Sequence, residues 1–217
     1  MSALPMVVHA RAPDPAERVH LQRRARRLAW GGGLWHAAEF AIAVAAGISA
    51  SSVALVGFGI DSLIEALAGS VVVWLFTGRR LQSESAERRA QQVIAISFFL
   101  LAAYVTVESL RTLGGSSRPD PSWVGIGLAA VTAPSMPVLA RAKRRVGHRL
   151  GSAATVSEGT QNLLCAYLSV AVLLGLGANA LLGWWWADPL AGLAIAAVAA
   201  REGLESWRGR GCADGCC

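Results

Sequence analysis

Asp61 and Glu65 stand four residues apart within the apolar run from Ser52 to Phe76. That run is long enough for a bilayer, because about 20 residues rising 1.5 Å each cover the roughly 30 Å hydrocarbon core. A carboxylate near the middle of such a helix costs roughly 2.5–3.5 kcal/mol to insert. A spacing of four sets both acids on one helical face, close enough to share a cation. Paired oxygen ligands suit a divalent ion, whose charge offsets the burial of both carboxylates. The plainer alternative is a hydrogen-bonding pair that joins two helices.

Other polar residues in apolar surroundings extend the same chemistry. His36 and Glu39, three apart, also share a helical face. They read either as a proton acceptor, since histidine titrates near neutral pH, or as a pair that satisfies itself. Glu158, Gln161, Asn162 and Cys165 fall at i, i+3, i+4 and i+7, one polar stripe on a helix otherwise of Leu, Val, Ala and Gly. Glu158 to Cys165 is about 10.5 Å along the axis, too far for one ion to touch both, so the stripe reads as a path or as a site with its entrance. Asp188 before Pro189 reads as an N-cap. Cys212, Cys216 and Cys217 form a tail that is either a soft-metal trap or a segment with no task.

The elements that must position these residues are six apolar spans, near 28–48, 52–77, 93–112, 122–140, 155–182 and 187–205. The reading is an all-α membrane protein, a six-transmembrane-helix bundle with both termini cytoplasmic. Residues 1–27 form a basic cytosolic arm without a cleavable h-region, 28–207 the membrane domain, and 208–217 a short cysteine-containing tail. The 217 residues, 54% hydrophobic with mean hydropathy +0.45, leave no room for a separate soluble domain. Of the 20 Lys and Arg residues only Arg111 and Arg118 fall on the outer side of this layout. That bias fixes the orientation. It also accounts for the net charge of +6 without nucleic acid, for which no soluble module exists. Lys143 is the single lysine, which reads here as the trace of a GC-rich bacterial genome. Pro134 and Pro137 are expected to bend the fourth span. Trp184, Trp185 and Trp186 mark an outer interface.

The six spans, the Ser52-x-Ala-Leu stretch followed by Asp61-x-x-x-Glu65, and the late Asp188-Pro189 together resemble the cation diffusion facilitator family of cation efflux proteins. The resemblance covers roughly residues 20–208. It implies proton-coupled export of a divalent metal, with ligand pairs on the second and fifth spans at mid-membrane. Asp61 and Glu65 match the second-span pair. On the fifth span one register sets Asn162 and Ala166 at the ligand positions, and another sets Ala154 and Glu158 there. Either way one fifth-span ligand is missing, and Cys165, His36, Glu39 or water is left to replace it. The family's usual cytosolic metal-binding and dimerising domain has no counterpart after the sixth span, as in a divergent bacterial branch.

The expected function is therefore a divalent-cation exporter of the bacterial inner membrane, working by alternating access. Asp61, Glu65, Asn162, Glu158 and Cys165 are the metal residues, and His36 and Glu39 are auxiliary or proton-coupling. The metal, of the Zn, Mn, Fe or Co class, is substrate rather than a tightly bound cofactor. Lipid, divalent cations and protons are the expected partners, together with a homodimer. The rival is a transport-inactive scaffold derived from the same fold. An enzyme is not expected, because no His-Glu-x-x-His, no Gly-x-Ser-x-Gly and no nucleophile beside a base occurs. The charge pattern makes a direct prediction: a cytosol-active reporter fused near residue 82 or 150 is active, and one fused near residue 116 is silent.

Overall fold

The computed structural model describes residues 14–75, 84–115 and 118–208 and builds them into six helices, with no strand among those residues. They are α1 (Pro15–Ser49), α2 (Val53–Leu75), α3 (Glu84–Leu113), α4 (Trp123–Leu150), α5 (Ala153–Leu182) and α6 (Ala187–Trp207). The six-helix reading holds. Four of the helices, α2 to α5, are long and apolar enough to cross a membrane over Val53–Ser70, Ala95–Leu113, Trp123–Leu150 and Glu158–Leu182. His36 and Glu39 dilute the apolar character of α1, and Asp188, Arg201, Glu202 and Glu205 that of α6.

Two helices run further than the hydropathy pattern indicates. Residues 15–27 are the first turns of α1, where Leu21 and Ala25 pack on Val146 of α4. The fourth helix continues to Leu150 through Pro134 and Pro137. Cys212, Cys216 and Cys217 lie outside the described residues.

The apolar residues face outward and the polar ones inward. Leu34, Ile48, Leu100, Val138, Leu174 and Leu181 are each about two-thirds exposed or more. His36, Glu39, Asp61, Glu65, Lys143, Glu158 and Asn162 are buried. A soluble bundle cannot tolerate that arrangement; in a bilayer, lipid wets the outside and the interior must satisfy its own polar groups.

The α1–α2 turn, the α3–α4 connection and the α5–α6 turn meet at one end, where Asp120 N–H donates to Ala50 O at 2.8 Å. Asp188 of α6 accepts from Ser52 Oγ and from Val53 N–H (3.1 Å), closing the start of α2. The sequence pattern makes it the N-cap of its own helix; instead it lies within the first turn of α6 and its carboxylate serves the N-terminus of α2. The arginine-rich end lies opposite, with Glu17 of α1 paired to Arg149 of α4.

The α1–α2 and α4–α5 hairpins are built alike at a constant offset of 100 residues. A Cβ placed on Gly47 would lie 2.7 Å from Val56 Cγ2 and 2.8 Å from Val56 N, and one on Gly147 would lie 2.7 and 2.8 Å from the same atoms of Val156. Ser52 N–H donates to Gly47 O at 2.9 Å, and Ser152 N–H to Gly147 O at 3.0 Å. Leu55 N–H donates to Ser52 Oγ at 3.1 Å, and Thr155 N–H to Ser152 Oγ at 3.3 Å. Gly59 abuts Val44 as Gly159 abuts Arg144. One hairpin turns at each end of the bundle, so the two form an inverted pair, an arrangement found in many transporters.

Both turns need a left-handed residue, Ser51 at φ 52° and Gly151 at φ 65°. For a residue with a Cβ that conformation costs roughly 1–2 kcal/mol. Gly151→Ala is therefore expected to destabilise the purified protein by about 1 kcal/mol, and Ser51→Gly to stabilise it by a comparable amount. Unfolding in mixed detergent micelles measures both.

Candidate metal centre

Both acids of α2 face the interior, Asp61 at 5% exposure and Glu65 at 6%, so neither points into lipid. Glu65 sits against α1, where its Oε2 lies 3.2 Å from His36 Nδ1. That contact lacks hydrogen-bond geometry; Nδ1, also 3.2 Å from Glu39 Oε2, makes its hydrogen bond there. One ring nitrogen cannot serve two carboxylates with one proton.

Glu39 is fully engaged. Besides His36 it accepts from Ser62 Oγ at 2.9 Å and from Thr132 Oγ1. Three helices thus converge on one carboxylate, and the His36 ring is fixed by it. On the far side of the ring, Asn162 Nδ2 lies 2.7 Å from His36 Nε2. A neutral imidazole that donates from Nδ1 and accepts at Nε2 satisfies both contacts, the arrangement that orients many metal-binding histidines.

Cys165 of α5, fully buried, closes the constellation. One ligand atom each from His36, Glu65 and Cys165 lie within 4.8 Å of one another. Met136 stands beside them, its Sδ 3.8 Å from Asn162 Nδ2. Imidazole nitrogen, carboxylate oxygen and cysteine sulfur are the donor types that tetrahedral zinc-like ions take.

The electrostatics point the same way. Among the described residues five buried side-chain atoms lack a hydrogen-bond partner: Trp35 Nε1, Ser109 Oγ, and on the polar faces of α2 and α5 Glu65 Oε2, Asn162 Oδ1 and Glu158 Oε2. The three on α2 and α5 are acceptors. An unpaired buried acceptor costs about 1–3 kcal/mol, and more when charged, unless a donor or a cation meets it. The region has acceptors to spare and a shortage of positive partners.

The inverted hairpins explain the placement. At the 100-residue offset His36 corresponds to Met136, Ser62 to Asn162, and Glu65 to Cys165. Each repeat contributes equivalent positions, so the constellation forms where the two hairpins face one another.

Sequence-predicted residues divide into three groups. His36, Glu65, Asn162 and Cys165 come together with Glu39 beneath the histidine. Asp61 is buried one turn from Glu65 but outside the three-residue cluster. Glu158 is buried one turn from Asn162 towards the arginine-rich end, with its Oε1 2.6 Å from Lys143 Nζ. Of the positions in the two registers, Asn162 faces the histidine and Ala166 is buried, whereas the side chain of Ala154 is not described.

Four contributors escaped the pattern reading: Ser62, Thr132, Met136 and Lys143. Thr132 and Ser62 are single hydroxyls of the kind that usually bond their own helix. Lys143 sits in a run of arginines, and the available signal was that it is the chain's one lysine.

The cation efflux transmembrane domain, as a family, matches residues 36–208, from the histidine of α1 to the end of α6. No curated protein matches the chain. The matched region holds every member of the metal centre, and the family is one of metal-ion transporters rather than enzymes. The chain belongs to the cation efflux family, the cation diffusion facilitators.

Proposed function

We propose that this protein exports a divalent metal ion in exchange for protons, binding it at His36, Glu65 and Cys165 and exposing it alternately to the two sides of the membrane. The observation that carries the reading is the approach of those three ligand atoms to within 4.8 Å in a buried interior rich in unpaired acceptors. Asp61, one turn from Glu65, and Asn162, against His36, are the additional polar groups beside the ion. Glu39 holds His36, and Glu158 lies on the approach from the arginine-rich end, which the charge bias assigns to the cytosol. A bacterial inner membrane is the setting this orientation fits.

Metal and proton compete for the same groups. A thiol and a carboxylic acid must lose their protons to ligate, so protonating the two groups drives release and deprotonating them drives capture. The inverted hairpins supply the motion, because exchanging their conformations turns the site from one end to the other. The donor set favours zinc and cadmium over manganese, since thiolate and imidazole prefer softer ions than oxygen-rich sites do.

The test is uptake of Zn²⁺, Cd²⁺, Mn²⁺, Fe²⁺ and Co²⁺ into proteoliposomes, with internal pH recorded. Zn²⁺ and Cd²⁺ should move with counterflow of protons, and Glu65→Ala and Asp61→Ala should both abolish it. Absence of metal-dependent proton movement in the wild type would refute the proposal. Cys165→Ser is expected to shift the preference towards Mn²⁺ and Co²⁺. Glu39→Gln, which loosens the histidine without removing a ligand, should weaken Zn²⁺ binding about 10–100-fold in a chelator competition.

A further inference from the structure

Lys143 and Glu158 form an ion pair 2.6 Å long between α4 and α5, with side chains 1% and 5% exposed. Two glycines make room for it. A Cβ on Gly32 of α1 would come within 2.7 Å of Lys143 Nζ, and one on Gly69 of α2 within 3.1 Å of Glu158 Oε1. Four helices therefore enclose the pair. It lies about 6 Å along α5 from Asn162, between the metal centre and the arginine-rich end.

We infer that Glu158 is a second cation site, the entry site of the path, and that Lys143 is a tethered cation which the incoming divalent ion displaces from it. The inference rests on the transport reading above. Two observations support it. The carboxylate is only half used: Oε1 meets the ammonium, while Oε2 is buried with no hydrogen-bond partner. And the chain uses lysine at this one position, with arginine for all its other cationic side chains.

The choice of lysine follows from its chemistry. A guanidinium would grip Glu158 with a planar two-toothed fork and needs more space than the Gly32 notch leaves. An ammonium is a compact point charge on a flexible four-carbon stem. It can let go of one oxygen and swing along the stem towards the arginine-rich end, as lysines near helix ends do. A divalent ion then meets two carboxylate oxygens on Glu158 and the free Oδ1 of Asn162 one turn further in. When the ion moves on to Glu65 and Cys165, the ammonium returns and keeps the vacated carboxylate neutralised.

The test counts Cd²⁺ bound per chain by equilibrium dialysis, using full-length protein with Cys212, Cys216 and Cys217 changed to serine. The wild type should bind one ion. Lys143→Met should bind a second, and Lys143→Met/Glu158→Gln should return to one. Glu158→Gln alone should keep the central ion but slow proteoliposome loading from the arginine-rich side about tenfold. A Lys143→Met protein that folds and binds one ion at wild-type affinity would overturn the inference while leaving the central site intact. If Lys143→Met does not fold, the Glu158→Gln loading rate decides, and an unchanged rate overturns it. A wild type that binds no Cd²⁺ overturns both this inference and the reading beneath it.

Discussion

A buried interior whose carboxyl groups outnumber its cationic side chains is the constraint from which the rest of this structure follows. Glu39, Asp61, Glu65 and Glu158 are four buried carboxyl groups inside one bundle. Lys143 compensates one of them, and hydroxyls and an imidazole compensate another. Lone burial of a charge is too costly to persist without a partner, and replacing such groups by well-packed apolar residues is often neutral or stabilising. Their presence is therefore better explained by something they bind than by the packing they permit. A small ion of double positive charge fits that need.

The fold meets the constraint by duplication and inversion. Each hairpin turns on the same few residues: glycine at 47 or 147, serine at 52 or 152, valine at 56 or 156, glycine at 59 or 159. The glycines let the paired helices approach to backbone contact, which is how helices associate where lipid removes the hydrophobic drive. Two similar frameworks then carry different side chains. Glu65 and Cys165 occupy equivalent places, as do His36 and Met136, so a quasi-symmetric scaffold presents a chemically mixed set of donors. The basic half of the second hairpin carries Lys143 and Glu158, whereas the equivalent places in the first hold Ala43 and Phe58, both fully buried. The equivalent places of the two hairpins are thus filled differently, by an ion pair in one and by apolar side chains in the other.

Much of this was legible from residue spacing alone. Runs of apolar residues and the arginine bias give six helices and their order, because length and charge are local properties. The i, i+4 acids on α2 and the polar stripe on α5 identify the faces that turn inward. What escaped was pairing across helices. Glu158 reads as a free ligand until Lys143, fifteen residues earlier on another helix, is seen against it. Lys143 in turn reads as one more charge in a basic loop, since the helix end at 140 was drawn ten residues short. Glu39 could not be told from a ligand, because the hydroxyls that occupy it come from α2 and α4. The repeat was visible in principle, but only a few residues per hairpin carry it, and they are small ones that composition does not distinguish.

X-ray absorption at the zinc edge tests the central claim most directly, using full-length protein whose three tail cysteines are changed to serine. With Zn²⁺ bound, the account predicts one ion per chain with a single sulfur at about 2.3 Å and nitrogen and oxygen ligands at about 2.0–2.1 Å. Replacing Cys165 by serine should remove that sulfur and nothing else. A shell made only of oxygen, or no stoichiometric zinc at all, would contradict it.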